Sequence, residues 1–592
     1  MKRLSGLIVC AILAASCHSN FDRVEVNISG LNPEQGFVAD LLTSRVEERV
    51  ASVHESNKIL NVTFLVDDSV SGEDSVVEVN GNEATVKAGR TRGLIYGCGV
   101  LLRSMEFTKK GFSVASGEYT FAPKRTYRCC YMARHFNTWY QRAPKEEMLR
   151  YIDDMFLWGI NTLNTQLFMA NVNFAYATPE ETVIFDDVTD AICARVKQCD
   201  MELQTGGGGN TAPAGYPLKF KATPLDPPRG DDSWNICPSK PGALDFLLQR
   251  REAILKRYVE RGYPITHMSY FPYDEGGCQC DDCAPWGGNG YVKTFEAMHK
   301  LNLKYYPDIK ESVSTWCFDK VDDSDFDGLF SYLPKQDWID YLEVDSVGDF
   351  PEYILMHDVP GGIPVTTFPE ISMWGRCPWG GYGASPQPKR FEKNFRTVEK
   401  VAYGFRLYSE GLYEDINKVV ITYLYTQPES TSDDALASYA KYELPGINVK
   451  DFQKFIGLLE ATHATGPETG RKRMDFNFLV YLRDSDPELL ALRRSQAKEA
   501  LDLALKMDKQ IIPSMKNCWR WRLLLLRAII DNEIFSTGQL HTDVADECYS
   551  ELVKIYHGEA QLKRLMEQHK DGYTLPPFLP EVQMPSHKGS GF

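Results

Sequence analysis

Between Lys124 and about Pro428 one pattern repeats: a short apolar run closes on polar or acidic residues, with amphipathic helical stretches between several of the runs. The runs are CCYMAR, INTLNTQL, MELQT, ITHMSYFPYDE, SVSTW, YLEVDS, PVTTFPE and FRLYSE. Lys145–Trp158 and Gly242–Arg261 are two of the intervening helical stretches. Repeated β–α units of this count predict an α/β fold, a (β/α)8 barrel over 124–429, whose chemistry sits at the C-terminal ends of the strands. The polar residues that close each run are therefore the ones to inspect.

The flanks read differently. Over 20–123 a small α/β domain is expected. Val24–Ile28 and Val62–Val66 alternate like strands, and Glu34–His54 has helical periodicity. Val76–Val79 and Ala84–Val86 flank Asn80-Gly81-Asn82, a hairpin signal, and Thr91–Phe107 places apolar residues at helical spacing. Over 430–592 the strand signal fades. Ala435–Leu444, Val449–Thr462, Ser485–Met507, Trp519–Asn532 and Thr542–His557 are helical by period, and a helical domain buttressing the barrel is expected.

Residues 1–17, MKRLSGLIVCAILAASC, join a basic start (Lys2, Arg3) to a short apolar stretch and small residues before Cys17. This resembles the lipobox of bacterial lipoproteins, which implies export and a lipid on Cys17. The expected location is the outer membrane, at its periplasmic or cell-surface face. A plain secretory signal is the alternative. No later segment has 18 unbroken apolar residues, so attachment is expected by anchor and not by span. With 65 basic against 81 acidic residues, a net charge of −16 and no Lys/Arg-rich block, nucleic acid is not an expected partner. Of fifteen cysteines, Cys10 and Cys17 fall in the leader and an odd number remains. Cys278, Cys280 and Cys283, in CQCDDC, are dense enough to suggest a metal or a local disulfide. Zinc needs about four ligands, however, and no fourth is visible nearby, so a structural turn is the favoured reading.

The sharpest chemical signal is Tyr273-Asp274-Glu275-Gly276-Gly277, at the end of ITHMSYFP. Retaining glycoside hydrolysis needs a carboxylic acid to protonate the leaving oxygen and a second group to stabilise C1. In the substrate-assisted variant that second group is the sugar's own acetamido oxygen, oriented by a neighbouring carboxylate. An Asp-Glu pair at a barrel-strand end suits that variant. A lone pair of this kind is more often a solvated acidic turn, but this one has company.

Pro123–Leu167 resembles the first barrel strand, helix and second strand of family 20 β-hexosaminidases, on Tyr127-Arg128, Arg134-His135-Phe136 and Asn161-Thr162-Leu163. The family's His-x-Gly-Gly-Asp-Glu motif is echoed by His267 with Asp274-Glu275. The segment containing RGLIYGCGVLL is similar to the domain that precedes the barrel in hexosaminidases and α-glucuronidases. The resemblance implies Glu275 as general acid/base, Asp274 as the residue orienting the acetamido group, and Arg128 as a ligand of sugar hydroxyls. Arg134 is a further substrate-binding candidate. Asn164 and Gln166 stand where the family has two His, and MELQTGGGGN lacks the usual carboxylate. The Gly-Gly-Cys-x-Cys-x-x-Cys continuation and the segment Tyr408–Asp415 resemble another set of secreted bacterial glycosidases, some of them endo-β-N-acetylglucosaminidases.

Glu370 and Glu410 close later runs and are candidates for binding hydroxyls or for a direct nucleophile; pairing with an Arg is the alternative for each. Trp316, Trp374 and Trp379 lie at or beyond strand ends, where flat rings can pack on the CH faces of sugars. Gly206–Gly209 has no following GK[ST] and is no phosphate loop. No cofactor is expected, and no protein partner is identifiable. The leading expectation is a retaining glycosidase acting on a β-linked N-acetylhexosamine in a glycan. The alternatives are a glycosidase for another sugar, such as a uronic acid, and a non-catalytic glycan-binding lipoprotein.

Overall fold

The computed structural model describes residues 20–50, 58–134, 138–168, 179–213, 215–224, 235–272, 277–316, 318, 322–345, 350–369, 382–462, 486–539 and 542–559. The chain divides into two compact units. One runs to Phe121 and also takes in Ile512–Met515; the other is the remainder.

The first unit contains β1 (Arg23–Gly30), β2 (Ile59–Val66), β3 (Ser75–Asn80), β4 (Glu83–Ala88), β5 (Met105–Thr108), β6 (Gly111–Val114) and β7 (Gly117–Phe121). Its main sheet has the order β1-β2-β4-β3-β7. The β3–β4 pair is the expected hairpin, with Asn80 opposite Glu83 and Gly81 in the left-handed region at φ 64°. Helix Thr91–Ser104 lies tight against this sheet, and its glycines explain how: a Cβ on Gly97 would stand 2.4 Å from Val86 Cγ1. That helix stops three residues short of the expected Phe107. Met105–Thr108 alternates buried and exposed, which suits a strand, and it pairs antiparallel with β6. Helix Phe37–Arg49 closes the unit, with Ser514 Oγ donating to the Arg49 carbonyl at 3.1 Å.

The second unit is built on β8 (Tyr127–Met132), β9 (Thr162–Thr165), β10 (Glu202–Gly208), β11 (Ile265–Phe271), β12 (Lys310–Ser314), β13 (Tyr341–Asp345), β14 (Val365–Phe368) and β15 (Ala402–Ser409). Each pairs in parallel with the next, and β15 pairs with β8, so the barrel is closed. Each of the eight apolar runs of the sequence overlaps one of these strands. Gly206–Gly208, in the glycine run, continues β10 alongside β11.

Residues that meet across the barrel define its inward side. Tyr127 stacks on Tyr341 at 5.0 Å, and its hydroxyl donates to Gln204 Oε1 at 2.5 Å. One layer up, Arg406 is ion-paired with Glu343, both fully buried. Burial pushes the Glu343 carboxyl up, and Arg406 pulls it back. The odd-numbered residues of β8 therefore face inward, and Arg128 and Cys130 face the surrounding helices.

After β15 come helices Asp415–Thr426, Ser432–Glu443, Val449–Ala461, Pro487–Met507, Trp519–Thr537 and Asp543–Ile555. Four of these six starts carry side-chain N-caps: Thr431 forms a capping box with Asp434, and Asn448, Asp486 and Thr542 accept from backbone N–H groups of their first turns. They join the barrel through buried charge. Arg520 donates to Asp415 at 2.9 Å and to Asp154 at 3.1 Å, and lies 3.6 Å from Glu443. Among the described residues no helix is long and apolar enough to cross a membrane.

Candidate active site

The last inward positions of four strands (Tyr131, Phe271, Phe368 and Tyr408) and two residues just beyond β9 and β12 (Gln166 and Trp316) come together at the C-terminal end of the barrel. Phe271 and Trp316 lie 5.4 Å apart, Trp316 meets Phe368 edge-on at 5.6 Å, and Tyr131 meets Tyr408 edge-on at 5.1 Å. Tyr131, Gln166, Phe271 and Trp316 are half-buried, so this layer is a floor and not a sealed core. Beneath it the Arg406 guanidinium sits 4.7 Å from the Phe368 centroid and 5.1 Å from that of Tyr131, a cation held against ring faces.

Polar groups edge the floor. Gln166 Nε2 donates to the Tyr131 hydroxyl at 2.6 Å, and Gln166 Oε1 accepts from the Arg134 N–H at 2.8 Å. The Tyr408 hydroxyl donates to Glu410 Oε1 at 2.6 Å. Glu410 is 1% exposed, and its own N–H is held by the Glu414 carboxyl at 3.2 Å. Below Glu410 runs a second buried set. Lys418 Nζ donates to the hydroxyls of Tyr140 (2.8 Å) and Tyr151 (2.7 Å) and to the Gly411 carbonyl (2.6 Å), and Tyr140 is 2.7 Å from Ser409 Oγ. Burial raises Glu414 to about 8 and lowers Lys418.

The sequence candidates divide sharply. Trp316 and Glu410 are at this mouth. Asp274, Glu275, Glu370, Trp374 and Trp379 lie outside the described residues, as does Cys17. Arg128 is a correction. It faces away from the barrel interior, fully buried, with Nε on the Gly159 carbonyl (2.6 Å) and Nη1 on that of Arg125 (2.7 Å), so it serves the chain at the strand's base. Arg134 is a second correction. Its guanidinium lies 3.7 Å over the Phe185 ring and donates to Thr189 Oγ1 (2.5 Å) and the Phe185 carbonyl (3.1 Å), clipped to helix Pro179–Gln198 and not turned to the mouth. Burial lowers it to about 9. His267 lies deep in the barrel, its Nε2 3.5 Å from Glu202 and its ring beside Tyr127 and Tyr341, two layers below Phe271.

The reading of the residues missed Tyr131, Phe271, Phe368 and Tyr408 as site residues. The signal for them is the period-two alternation of each strand, followed to its final inward position. It also missed Cys237, whose Sγ lies 3.7 Å from Cys280 Sγ and 3.8 Å from Cys283 Sγ. A cavity of about 220 Å³ lined by Thr367, Phe391, Phe395, Ile421 and Tyr425 is on the outer side of β14, away from this mouth.

No protein-family model matches the chain, and no curated protein matches it in sequence. In fold it is similar to several glycoside hydrolases. One is a family GH89 enzyme from Clostridium perfringens, solved with its substrate GlcNAc-α-1,4-galactose: TM-score 0.57, 12% identity, 91% of this chain and 66% of that one. Another is a family GH115 4-O-methyl-α-glucuronidase with specificity for decorated arabinogalactans: TM-score 0.55, 11% identity, 96% of this chain and 80% of that one. A GH20 exo-β-N-acetylglucosaminidase from Vibrio harveyi matches at a TM-score of 0.46 and 12% identity, over 74% of each chain. At such identities the likeness to the GH89 and GH115 enzymes shows the fold alone.

Proposed function

We propose that this chain is a glycoside hydrolase that receives an N-acetylhexosamine-containing glycan at the barrel mouth. In this reading Glu275 is the general acid/base and Asp274 orients the acetamido oxygen that attacks C1, with retention at a β-linkage. One observation carries the proposal: an aromatic floor edged by amide, hydroxyl and carboxylate groups lies at the C-terminal strand ends. Sugars offer apolar CH faces and a rim of hydroxyls, and this combination matches both. Asp274 and Glu275 follow the last residue of β11, Phe271, by three and four positions in the chain.

Glu275→Gln is expected to lower kcat on an aryl N-acetylhexosaminide by ~10²–10⁴ while leaving glycan binding intact. Unchanged turnover in that variant would overturn the assignment, and binding without any turnover in the wild type would favour a glycan-binding protein. Asp274→Asn tests the mechanism, because substrate assistance requires that change to be nearly as damaging.

A second reading has specific support. Glu410 is buried at the mouth with its carboxylate set by Tyr408, as a direct nucleophile requires, and similar structures include enzymes acting on α-linked GlcNAc and α-glucuronic acid. If Glu410→Gln abolishes turnover and Asp274→Asn does not, the direct-nucleophile mechanism replaces the substrate-assisted one. The proposal extends to export with a lipid on Cys17; incorporation of labelled fatty acid that persists in Cys17→Ser would exclude that lipid.

A further inference from the structure

CQCDDC carries three thiols in a row of six residues, and the fold adds a fourth from another loop. Cys237 follows β10 and precedes helix Ala243–Glu260; Cys278, Cys280 and Cys283 follow β11. The four Sγ atoms all lie within 4.8 Å of one another, with Cys237–Cys280 at 3.7 Å and Cys237–Cys283 at 3.8 Å. A tetrahedral zinc with Zn–S bonds of ~2.3 Å sets its sulfurs ~3.8 Å apart. A disulfide would draw a pair to ~2.05 Å, and a multi-iron cluster would insert its own atoms between the thiols and spread them.

The surroundings are those of a ligand set already held in place. The Thr223 N–H donates to Cys278 Sγ at 3.3 Å, and the adjacent Gln279 N–H donates to the Thr223 carbonyl at 2.8 Å. Ser239 Oγ is 3.3 Å from Cys283 Sγ and in turn 3.3 Å from Lys293 Nζ, which sets a cation near the thiols. Such outer contacts orient ligands and stabilise sulfur in its anionic form. Gly277 enters the cluster at φ 77°, and a Cβ there would fall 2.0 Å from the buried Trp286 ring. Three of the four cysteines are buried, and the fourth, Cys280, is half-buried.

We propose that Cys237, Cys278, Cys280 and Cys283 form a tetrathiolate zinc site that pins the loop after β11 to the loop after β10. Four protein ligands leave no open position, so the metal is structural. The soft, all-sulfur donor set selects zinc over calcium or magnesium. Each thiol gives up its proton on binding, so affinity falls in acid. Cys278, the first ligand in the pinned loop, follows Glu275 by three positions in the chain, and a closed site of four thiolates takes no part in the chemistry.

The test uses the full chain purified without a metal-affinity step. About one zinc per chain is expected by elemental analysis, released in step with four thiols by an organomercurial. Cys237→Ser and Cys280→Ser are each expected to cut bound zinc roughly tenfold or more, and Cys548→Ser to leave it unchanged. If the ligand variants do not fold, cobalt substitution of the wild type decides, since four thiolates give intense sulfur-to-cobalt absorption. Disulfides mapped among these four cysteines, iron in place of zinc, or full zinc retention in Cys237→Ser would each overturn the proposal. Zinc content is read without any assay of glycan cleavage, so this result and the fate of the proposed function are independent.

Discussion

The barrel mouth and the seam between the barrel and its C-terminal helices are made of the same side-chain types, arranged to opposite ends. At the mouth, Tyr131, Phe271 and Trp316 keep part of their rings exposed over a buried cation. At the seam, Tyr140, Tyr151 and Tyr439 are fully buried and their hydroxyls are committed to Lys418 and Asp415. A ring that keeps part of its surface exposed can meet a ligand; a ring that is fully buried holds structure. Aromatic content alone therefore does not mark a sugar site. At the proposed site the rings keep part of their surface exposed.

Changes at the seam should act on stability and changes at the mouth on substrate. The largest effect is expected from Arg520→Met, which leaves Asp154, Asp415 and Glu443 without their shared buried cation. A loss of about 3–5 kcal/mol in urea unfolding follows from breaking such a set. A loss below 1 kcal/mol would show that the seam is not a stability element.

Glu414 bridges the two regions and gives a pH test. Burial holds its carboxyl at about 8 against an ordinary 4.5, so across that interval the folded chain keeps a proton that the unfolded chain has released. The stability it contributes is full below about pH 4.5 and is lost as pH rises towards about 8. Glu414→Gln should flatten the fall in stability across that window, and an unchanged slope would contradict the assignment.

The smallest effect belongs to Trp316→Ala. Removing one stacking face is expected to cost about 0.5–1.5 kcal/mol of substrate binding, a rise in KM of a few-fold on the aryl glycoside. An effect confined to melting temperature would move Trp316 from the mouth's chemistry to its scaffolding.

The barrel was legible because each strand reads as an apolar run closing on polar residues, and each of the eight runs overlaps one strand. The hairpin at Asn80-Gly81-Asn82 was legible for the local reason that its turn demands a left-handed residue. Arg128 and Arg134 were expected at the site on the motifs of Pro123–Leu167, and a motif match does not say which face a side chain takes. Arg128 has the outward parity of β8, opposite to Tyr127, Cys129 and Tyr131, and Arg134 lies two residues beyond the strand. His267 has inward parity but the wrong height. Cys237 escaped because a ligand on a separate loop leaves no spacing pattern to find.

The return of Ile512–Met515 to the first unit bears on how the chain is made. That unit is encoded almost entirely by the first 121 residues, yet Ser514, bonded to the end of helix Phe37–Arg49, is synthesised only after the whole barrel. At ~5–20 residues per second the ribosome needs tens of seconds to supply it. A unit made before the barrel is thus completed only after it, and a chain released before residue 515 leaves that unit unfinished.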